Sequence, residues 1–228
     1  MVGDADTRAA RFPRLVLFDL DGTLLDSAPD MVATINRMRA ARGHGEITME
    51  ALRQHVSKGA RAMSAAAFPE LGGEVPPELI REFLETYAGE LGRSCVLFEG
   101  VPELLEAIEA DGGRWGIVTN KPEGLARQHM PVLGWEQRCA ILVGGDTLSE
   151  RKPHPLPLLH ACEQLGVAPQ EAVYVGDDER DILAARAAGM PSVVALWGYR
   201  SPDEQPDAWG ADVMAENATE LHDARRWP

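Results

Sequence analysis

Residues 15–23 read LVLFDLDGT, an apolar run that ends abruptly in two acidic residues and a glycine. The segment from Leu15 to Leu20 is short and rich in β-forming residues, which predicts a buried strand. A turn is predicted directly after it, at Asp21-Gly22-Thr23. Asp19 and Asp21 are therefore expected where a strand ends, which is where parallel sheets bind ligands.

The next part of the chain is helical, and strands return only after residue 98. Met31, Ile35 and Met38 are spaced as on one helix face, and Pro29 suits the first turn of that helix. The three helices predicted in this block are 28–41, 48–67 and 77–91.

After residue 98, short apolar segments alternate with helical segments. The strands predicted there are 114–119, 140–143, 172–175 and 191–196. Strands regularly separated by helices imply a parallel sheet with crossover connections. The predicted fold class is therefore α/β, with an all-helical insertion after the first strand. We assign residues 1–27 and 99–228 to a core domain and residues 28–98 to a helical domain.

The composition is typical of a globular protein, with 45% hydrophobic and 25% charged residues. No apolar run approaches the roughly 20 residues that cross a bilayer. Residues 1–14 lack the apolar stretch of a secretory signal and suggest a loose leader, so we expect a cytoplasmic protein. A net charge of -14 argues against nucleic acid and anionic membranes as partners. Whether the chain is a monomer or a homodimer is left open.

Polar residues follow several predicted strands, and three of them are carboxylates suited to a metal ion. Asp19 and Asp21 start on the same side of an extended chain, and Asp177 follows another strand. Converging carboxylates repel one another unless they share a cation, and an all-oxygen set suits Mg²⁺ better than Zn²⁺. We therefore predict Mg²⁺ as the cofactor, bound by Asp19, Asp21 and Asp177.

The same residues suggest phosphoryl transfer from a small phosphate ester. A metal ion removes much of the repulsion between a carboxylate nucleophile and a phosphate monoester. Asp19 is predicted to form an acyl phosphate, while Asp21 protonates the leaving oxygen and later activates water. Thr119 and Asn120 offer donors to the phosphoryl oxygens, and Lys152 supplies positive charge.

Four further residues are assigned to binding and support. Gly22 permits the tight turn that brings backbone N–H groups near the phosphate, and Lys121 is assigned with it to substrate binding. Asp178 and Asp181 are predicted to support the metal site, although Asp178 could simply be exposed and Asp181 could be a helix-start residue. Each motif alone also fits a solvated turn or a helix cap, and only their combination favours a site.

Four segments resemble the signature motifs of the haloacid dehalogenase superfamily: DLDGTLLDS, IVTNK, RKPHP and VGDDERDILAARAAG. The resemblance implies a Rossmann-like core of parallel strands with an inserted all-helical cap of the C1 type. It also implies Asp19 as nucleophile, Asp21 as acid and base, and Lys152 steadying the nucleophile. Mg²⁺ would be bound by Asp19, the backbone carbonyl of Asp21, and Asp177.

Other stretches, among them VSKGARAM, WGIVTNKP and WGYRSPDEQPDAWGAD, resemble the phosphoglycolate phosphatase-like branch. Within that branch they are most similar to N-acetylmuramic acid 6-phosphate phosphatases. This resemblance implies N-acetylmuramic acid 6-phosphate as the substrate, with 2-phosphoglycolate as the alternative. Lys58 and Arg61 would face the substrate from the cap, and both substrates carry a carboxylate that a second cation could bind. A solvated helix start explains the two cations equally simply.

Two other classes of function are weighed against a phosphatase. A phosphomutase would interconvert isomers without net phosphate release. A catalytically inactive binding module should have lost one of the four central residues, and all are present: Asp19, Asp21, Lys152 and Asp177. In the superfamily an acid at the position of Asp21 is typical of phosphatases and mutases, and Thr23 favours hydrolysis.

Overall fold

The computed structural model describes residues 11–228, so most of the leader predicted for residues 1–14 lies outside the described residues. Within 11–228 the strands are β1 (Leu15–Phe18), β2 (Leu25–Asp26), β3 (Val96–Leu97), β4 (Arg114–Val118), β5 (Leu142–Val143), β6 (Ala172–Gly176), β7 (Ser192–Ala195) and β8 (Val213–Ala215). The α-helices are α1 (Ala28–Ala40), α2 (Met49–Arg53), α3 (Gly59–Ala67), α4 (Pro77–Glu90), α5 (Val101–Ala110), α6 (Glu123–Leu133), α7 (Leu156–Leu165) and α8 (Glu179–Ala187).

The main sheet has six parallel strands in the order β5-β4-β1-β6-β7-β8. β1 lies at its centre, paired with β4 on one side and β6 on the other. Val16 and Phe18 belong to one apolar cluster, whereas Leu15 and Leu17 belong to another. Because alternate side chains point to opposite faces of a strand, a strand covered on both faces must be apolar throughout.

The chain enters and leaves the helical block through a short antiparallel pair, in which β2 and β3 align Leu25 with Leu97. Helices α1 to α4 lie between these strands and share an apolar cluster of their own, which Leu125 and Tyr199 join from outside the block. The bounds assigned to the two domains stay a prediction.

The predicted α/β architecture has the expected strands, but one predicted helix is divided and three strands were not predicted. The single helix predicted over 48–67 is two helices, because Gly59 has φ +84° at the start of α3 and left-handed backbone does not continue a helix. β2, β3 and β8 were not predicted, since two or three residues are too short for a periodic pattern. No helix of residues 11–228 is both long and apolar enough to cross a membrane.

Candidate active site

The carboxyl end of β1 places Asp19 beside Lys152. Lys152 is 3% exposed, and its Nζ lies 3.0 Å from Oδ1 of Asp19 and 2.7 Å from Oδ1 of Asp181. The ammonium also donates to the hydroxyl of Tyr174 at 2.7 Å. Burial alone would lower the pKa of Lys152, but the two carboxylates raise it above its ordinary value. Lys152 is therefore a fixed positive charge at the end of the sheet.

Three buried carboxylates converge at the same place, and two of them contact Lys152. One oxygen each of Asp19, Asp177 and Asp181 lies within 4.8 Å of the others. Burial, with repulsion from Asp19 and Asp181, raises the pKa of Asp177 well above its ordinary value. Burial also raises the pKa of Asp181 to about 6, although Lys152 opposes the shift. A cluster of oxygens with excess negative charge fits a hard divalent cation such as Mg²⁺.

Asp21 lies near the cluster, but its carboxylate pairs with a different cation. Nζ of Lys121 donates to the two oxygens of Asp21 at 2.9 and 3.2 Å and to the hydroxyl of Tyr87 at 2.7 Å. Burial would raise the pKa of Asp21, but the Lys121 ammonium, with smaller contributions from Ser27 and His129, brings the pKa below its ordinary value. Lys121, predicted to bind substrate, is thus engaged with the predicted acid and base.

Thr119 and Asn120 follow β4, and both border the cavity that Asp19 and Asp21 also line. The hydroxyl of Thr119 accepts the N–H of Lys121 at 3.2 Å, so its own hydrogen is free to point elsewhere. The Nδ2 group of Asn120 donates to the Lys152 carbonyl at 2.9 Å, while its buried Oδ1 has no protein partner. The structure brings both residues to the end of the sheet, as predicted from their position after a strand.

Gly22 occupies a place that no other residue could fill. Its φ is +88°, and a Cβ there would lie 2.3 Å from Oδ2 of Asp177. Its own N–H donates to the Leu25 carbonyl at 3.0 Å within the turn. The contribution visible in the structure is therefore the room left for Asp177, and a role of this turn in phosphate binding stays a prediction.

The start of α8 separates the roles of Asp178 and Asp181. The two residues form a reciprocal capping box: Oδ1 of Asp178 accepts the Arg180 N–H at 3.0 Å, and Oδ2 of Asp181 accepts the Asp178 N–H at 3.1 Å. Asp178 also pairs with the Arg180 guanidinium at 2.8 Å. The other oxygen of Asp181 reaches Lys152, so Asp181 lies in the carboxylate cluster. Asp178 pairs with Arg180 instead, and because it is buried, the alternative that it is simply exposed is wrong.

The loop before α3 contacts the carboxylates from the other side. The Ser57 hydroxyl donates to Oδ2 of Asp177 at 2.7 Å. Lys58 pairs with Glu204 and lies 3.7 Å from Oδ2 of Asp178. Both predicted cap cations border the space over the cluster, but Lys58 is already paired, and Arg61 donates to the Val75 carbonyl at 3.0 Å.

A cavity of about 450 Å³ lies between the helical block and the end of the sheet. Its polar part includes Asp19, Asp21, Thr119 and Asn120, and its apolar part is contributed by α1, α4 and α6. Besides Asp19 and Asp21, the charged and apolar side chains that line it are Met31, Lys58, Ala60, Arg61, Ile80, Phe83, Leu84, Lys121, Pro122, Leu125, Arg151 and Arg180.

The model of the haloacid dehalogenase-like hydrolase family matches residues 16–195, which contain the carboxylate cluster, Lys152 and all the residues that line the cavity. The chain belongs to this family. The predicted family and fold class are therefore confirmed, and the chain is an enzyme of the haloacid dehalogenase phosphatase type.

Several relatives of this haloacid dehalogenase-like hydrolase cover almost all of it. A phosphoglycolate phosphatase of Xanthomonas campestris pv. campestris is 60% identical over 218 residues, 96% of this chain and 99% of that protein. An N-acetylmuramic acid 6-phosphate phosphatase of Pseudomonas aeruginosa is 44% identical over 92% of this chain and 93% of that protein. The crystal structure of a predicted phosphoglycolate phosphatase from Haemophilus somnus has a TM-score of 0.79 at 27% identity, covering 91% and 96% of the two chains. The names of these relatives favour 2-phosphoglycolate, the alternative substrate, over N-acetylmuramic acid 6-phosphate, which the sequence resemblance implied.

Four residues of the hydrolase site were not predicted as site residues. Tyr87 and Arg180 approach the cavity from α4 and α8, and the Tyr174 hydroxyl joins Lys152 to the Val118 carbonyl. The Tyr199 N–H donates to Oδ2 of Asp177 at 2.8 Å. Two of them had a sequence signal: a phenol inside the apolar strand AVYVG needs a buried partner, and Tyr199 follows the last predicted strand.

Proposed function

We propose that the chain is a Mg²⁺-dependent phosphomonoesterase in which Asp19 is the nucleophile and Asp21 is the acid and base. The arrangement of Asp19 carries this proposal. Its carboxylate lies at a strand end, 3.0 Å from Lys152, in a cluster with Asp177 and Asp181. The same cavity is bordered by Asp21, so a phosphate ester bound there would meet both carboxylates.

In the first step, an oxygen of Asp19 attacks phosphorus and the bond between phosphorus and the ester oxygen breaks. The leaving oxygen takes a proton from Asp21. Because Lys121 keeps the pKa of Asp21 low, this carboxyl is ionised in the free enzyme and must gain its proton with the substrate. The second pKa of a phosphate monoester is near 6, so at neutral pH a fraction of the substrate still carries a proton that can pass to Asp21.

In the second step, Asp21 removes a proton from water, and the water oxygen attacks the phosphorus of the aspartyl phosphate. The bond between phosphorus and the Asp19 oxygen breaks, which restores the Asp19 carboxylate and releases inorganic phosphate. Lys152 faces the equatorial oxygens, with donors from Thr119 and Asn120. Bound Mg²⁺, coordinated by Asp19, the Asp21 carbonyl and Asp177 with support from Asp181, would neutralise charge on the phosphoryl group.

We further propose that residues 28–98 act as a cap domain over a core made of 1–27 and 99–228, in a cytoplasmic enzyme that acts on a small soluble metabolite. Separate apolar clusters in the two parts support this division. A cap that closes over the strand ends excludes water from the aspartyl phosphate.

The first candidate substrate is 2-phosphoglycolate, supported by the names of the relatives at 60% identity. The second is N-acetylmuramic acid 6-phosphate, named in relatives at 44% identity and favoured by a cavity of about 450 Å³, far larger than a two-carbon acid needs. Both carry a carboxylate, for which Arg61 and Arg180 are candidate partners.

Release of inorganic phosphate from the two esters, measured side by side with Mg²⁺ and with EDTA, tests the proposal. Asp19→Asn serves as the blank. A preference in kcat/KM of about tenfold, equal to about 1.4 kcal/mol in transition-state binding, would decide between the two substrates. Isomer conversion without phosphate release would identify a mutase, and no Mg²⁺-dependent reaction with any phosphate ester would contradict the proposal.

A further inference from the structure

We infer that Ile80 and Leu84 of α4 are specificity-determining residues that bind an apolar part of the substrate. The substrate class is then phosphate esters that carry an alkyl or acyl group of several carbons besides the phosphate-bearing carbon. This inference rests on the proposed function, because it assumes that phosphate is cleaved at Asp19 in the same cavity.

One face of α4 lines the cavity. Ile80, Phe83, Leu84 and Tyr87 are spaced i, i+3, i+4 and i+7, which places them on one side of a helix, and all four border the cavity. Phe83 and Tyr87 are 2% and 1% exposed and stack with ring centroids 5.9 Å apart. Ile80 and Leu84 flank them and are only partly buried. These two side chains therefore keep apolar surface that a ligand can cover.

The apolar surface extends beyond α4. Met31 of α1 and Leu125 of α6 border the same cavity and are 7% and 9% exposed. We call Met31, Ile80, Leu84 and Leu125 the apolar wall. Covering apolar surface with an apolar group releases water and stabilises the complex, whereas a small polar acid gains nothing from it.

The same cavity also has charged side chains. Asp19 and Asp21 border it together with Arg61, Arg151 and Arg180. A ligand that fills the cavity would therefore contact both charged and apolar side chains. A two-carbon phosphorylated acid is polar throughout and would leave the apolar wall uncovered, so of the two candidate substrates this inference favours N-acetylmuramic acid 6-phosphate.

The simpler explanation is that the apolar wall only packs the helical block. Met31 and Leu125 fit that explanation, because they belong to the apolar cluster of the block and are buried. Ile80 and Leu84 pack against that cluster but remain partly exposed in the same cavity as Asp19. The two explanations differ in what substitution of these two residues does to substrate preference.

A series of monoalkyl phosphates from methyl to hexyl measures the contribution of the apolar wall directly. The alkoxide leaving groups are chemically alike, so kcat/KM reports mainly on binding of the chain. With the purified enzyme and Mg²⁺, we expect kcat/KM to rise about three- to fourfold for each methylene that becomes fully covered. Ile80→Ser and Leu84→Ser should flatten this rise.

Glu85→Ser is the matched control, because Glu85 is exposed on the same helix, and it should keep the wild-type rise. Thermal shifts with methylphosphonate and hexylphosphonate, which are not hydrolysed, give a second readout, and Leu84→Ala replaces Leu84→Ser if that variant does not fold. A flat wild-type series, or a rise unchanged in both wall variants, overturns the inference while phosphate release still supports the proposed function. Absence of release from every ester, with equal shifts for both phosphonates, overturns both.

Discussion

At the scale of single residues, the buried side chains of the site include more carboxylates than ammonium groups. The carboxylates of Asp19, Asp177 and Asp181 lie together, and the ammonium of Lys152 contacts the first and the last of them. A second pair, Asp21 and Lys121, lies nearby. Charges removed from water are stable only with partners, and the cluster keeps an excess of negative charge that a divalent cation would neutralise. Substitution of one partner should therefore change both activity and stability.

Lys152→Met should leave Asp19 and Asp181 without their cation. In EDTA we expect the free energy of unfolding to fall by about 3 kcal/mol, as when one partner of a buried ion pair is removed. In Mg²⁺ we expect kcat to fall about 100-fold or more, because a charge aimed at the phosphoryl oxygens is lost. Denaturant unfolding and phosphate release measure the two effects. Arg81→Met, an exposed change on α4, should leave both unchanged.

Asp21→Asn should separate the two chemical steps. p-Nitrophenyl phosphate has a leaving group that needs no proton, so Asp19 should still be phosphorylated, but hydrolysis of the aspartyl phosphate lacks its base. Rapid mixing should then show a burst of one equivalent of nitrophenol followed by slow turnover. Asp19→Asn should give no burst. Steady turnover by Asp21→Asn at the wild-type rate would exclude Asp21 as the base.

Gly22→Ala should displace Asp177. The new Cβ would lie 2.3 Å from the Asp177 carboxylate at φ +88°, so we expect a higher Mg²⁺ concentration for half-maximal activity and lower stability. Gly43→Ala is the matched control, because its φ is +73° and nothing lies within 4 Å of the new Cβ. The control should cost about 1 kcal/mol from the left-handed backbone alone, with no change in Mg²⁺ dependence.

At the scale of elements, the start of α8 positions the site. The capping box between Asp178 and Asp181 satisfies backbone N–H groups of the first turn and fixes the Asp181 side chain toward Lys152. Gly176, at the end of β6, leaves no room for a Cβ, which would lie 2.3 Å from Oδ2 of Asp181. The junction between strand and helix thus sets the position of a carboxylate in the cluster.

Asp178→Ala should destabilise the protein by about 1 kcal/mol or more, since it removes the N-cap of α8 and the Arg180 pair. Glu179→Ala is the control: Glu179 lies in the same first turn, is exposed and contributes only through the helix dipole, about 0.5 kcal/mol. Urea unfolding of both variants gives the comparison. If both variants lose the same free energy of unfolding, the capping box contributes no more to stability than the negative charge at the helix start.

At the scale of the whole molecule, the helical block and the end of the sheet meet over the carboxylates. Ser57 contacts Asp177, and Arg53 of α2 pairs with Asp26 of β2 at 3.0 Å. The ring of Tyr199 lies under the Arg53 guanidinium, 4.8 Å away. Folding therefore brings acidic groups from distant parts of the chain into one buried place, which makes stability depend on pH and on Mg²⁺.

Without metal, the protein should lose stability as pH rises. Burial raises the pKa of Asp181 to about 6 from its ordinary 3.8, and the pKa of Asp177 also rises. A carboxyl whose pKa is higher in the folded than in the unfolded protein takes up protons on folding. The free energy of unfolding therefore falls as the pH rises from the pKa of the unfolded chain to the pKa of the folded protein.

Mg²⁺ binds the ionised carboxylates, so it should raise Tm more at about pH 8 than at about pH 5. Thermal unfolding with Mg²⁺ and with EDTA at both values measures this difference. In Asp177→Asn the difference should be much smaller. A Tm increase that is independent of pH in the wild type would show that these carboxylates do not bind the ion.

Much of this protein is determined by local sequence. LVLFDL specifies the central strand because every one of its positions is buried, and the order of polar strand ends predicts which residues meet, since parallel strands end at the same edge. That reasoning alone predicts that Asp19, Asp177 and Lys152 lie close together.

Tertiary structure decided which partner each charge has. Lys121 binds Asp21 and Tyr87, and Lys58 binds Glu204, because side chains from separate elements reach the same place. Sequence spacing fixes the strand end a residue occupies, but not the direction of a long side chain or the residues it meets from the helical block. Those contacts depend on how the block packs over the sheet, and no local pattern records that packing.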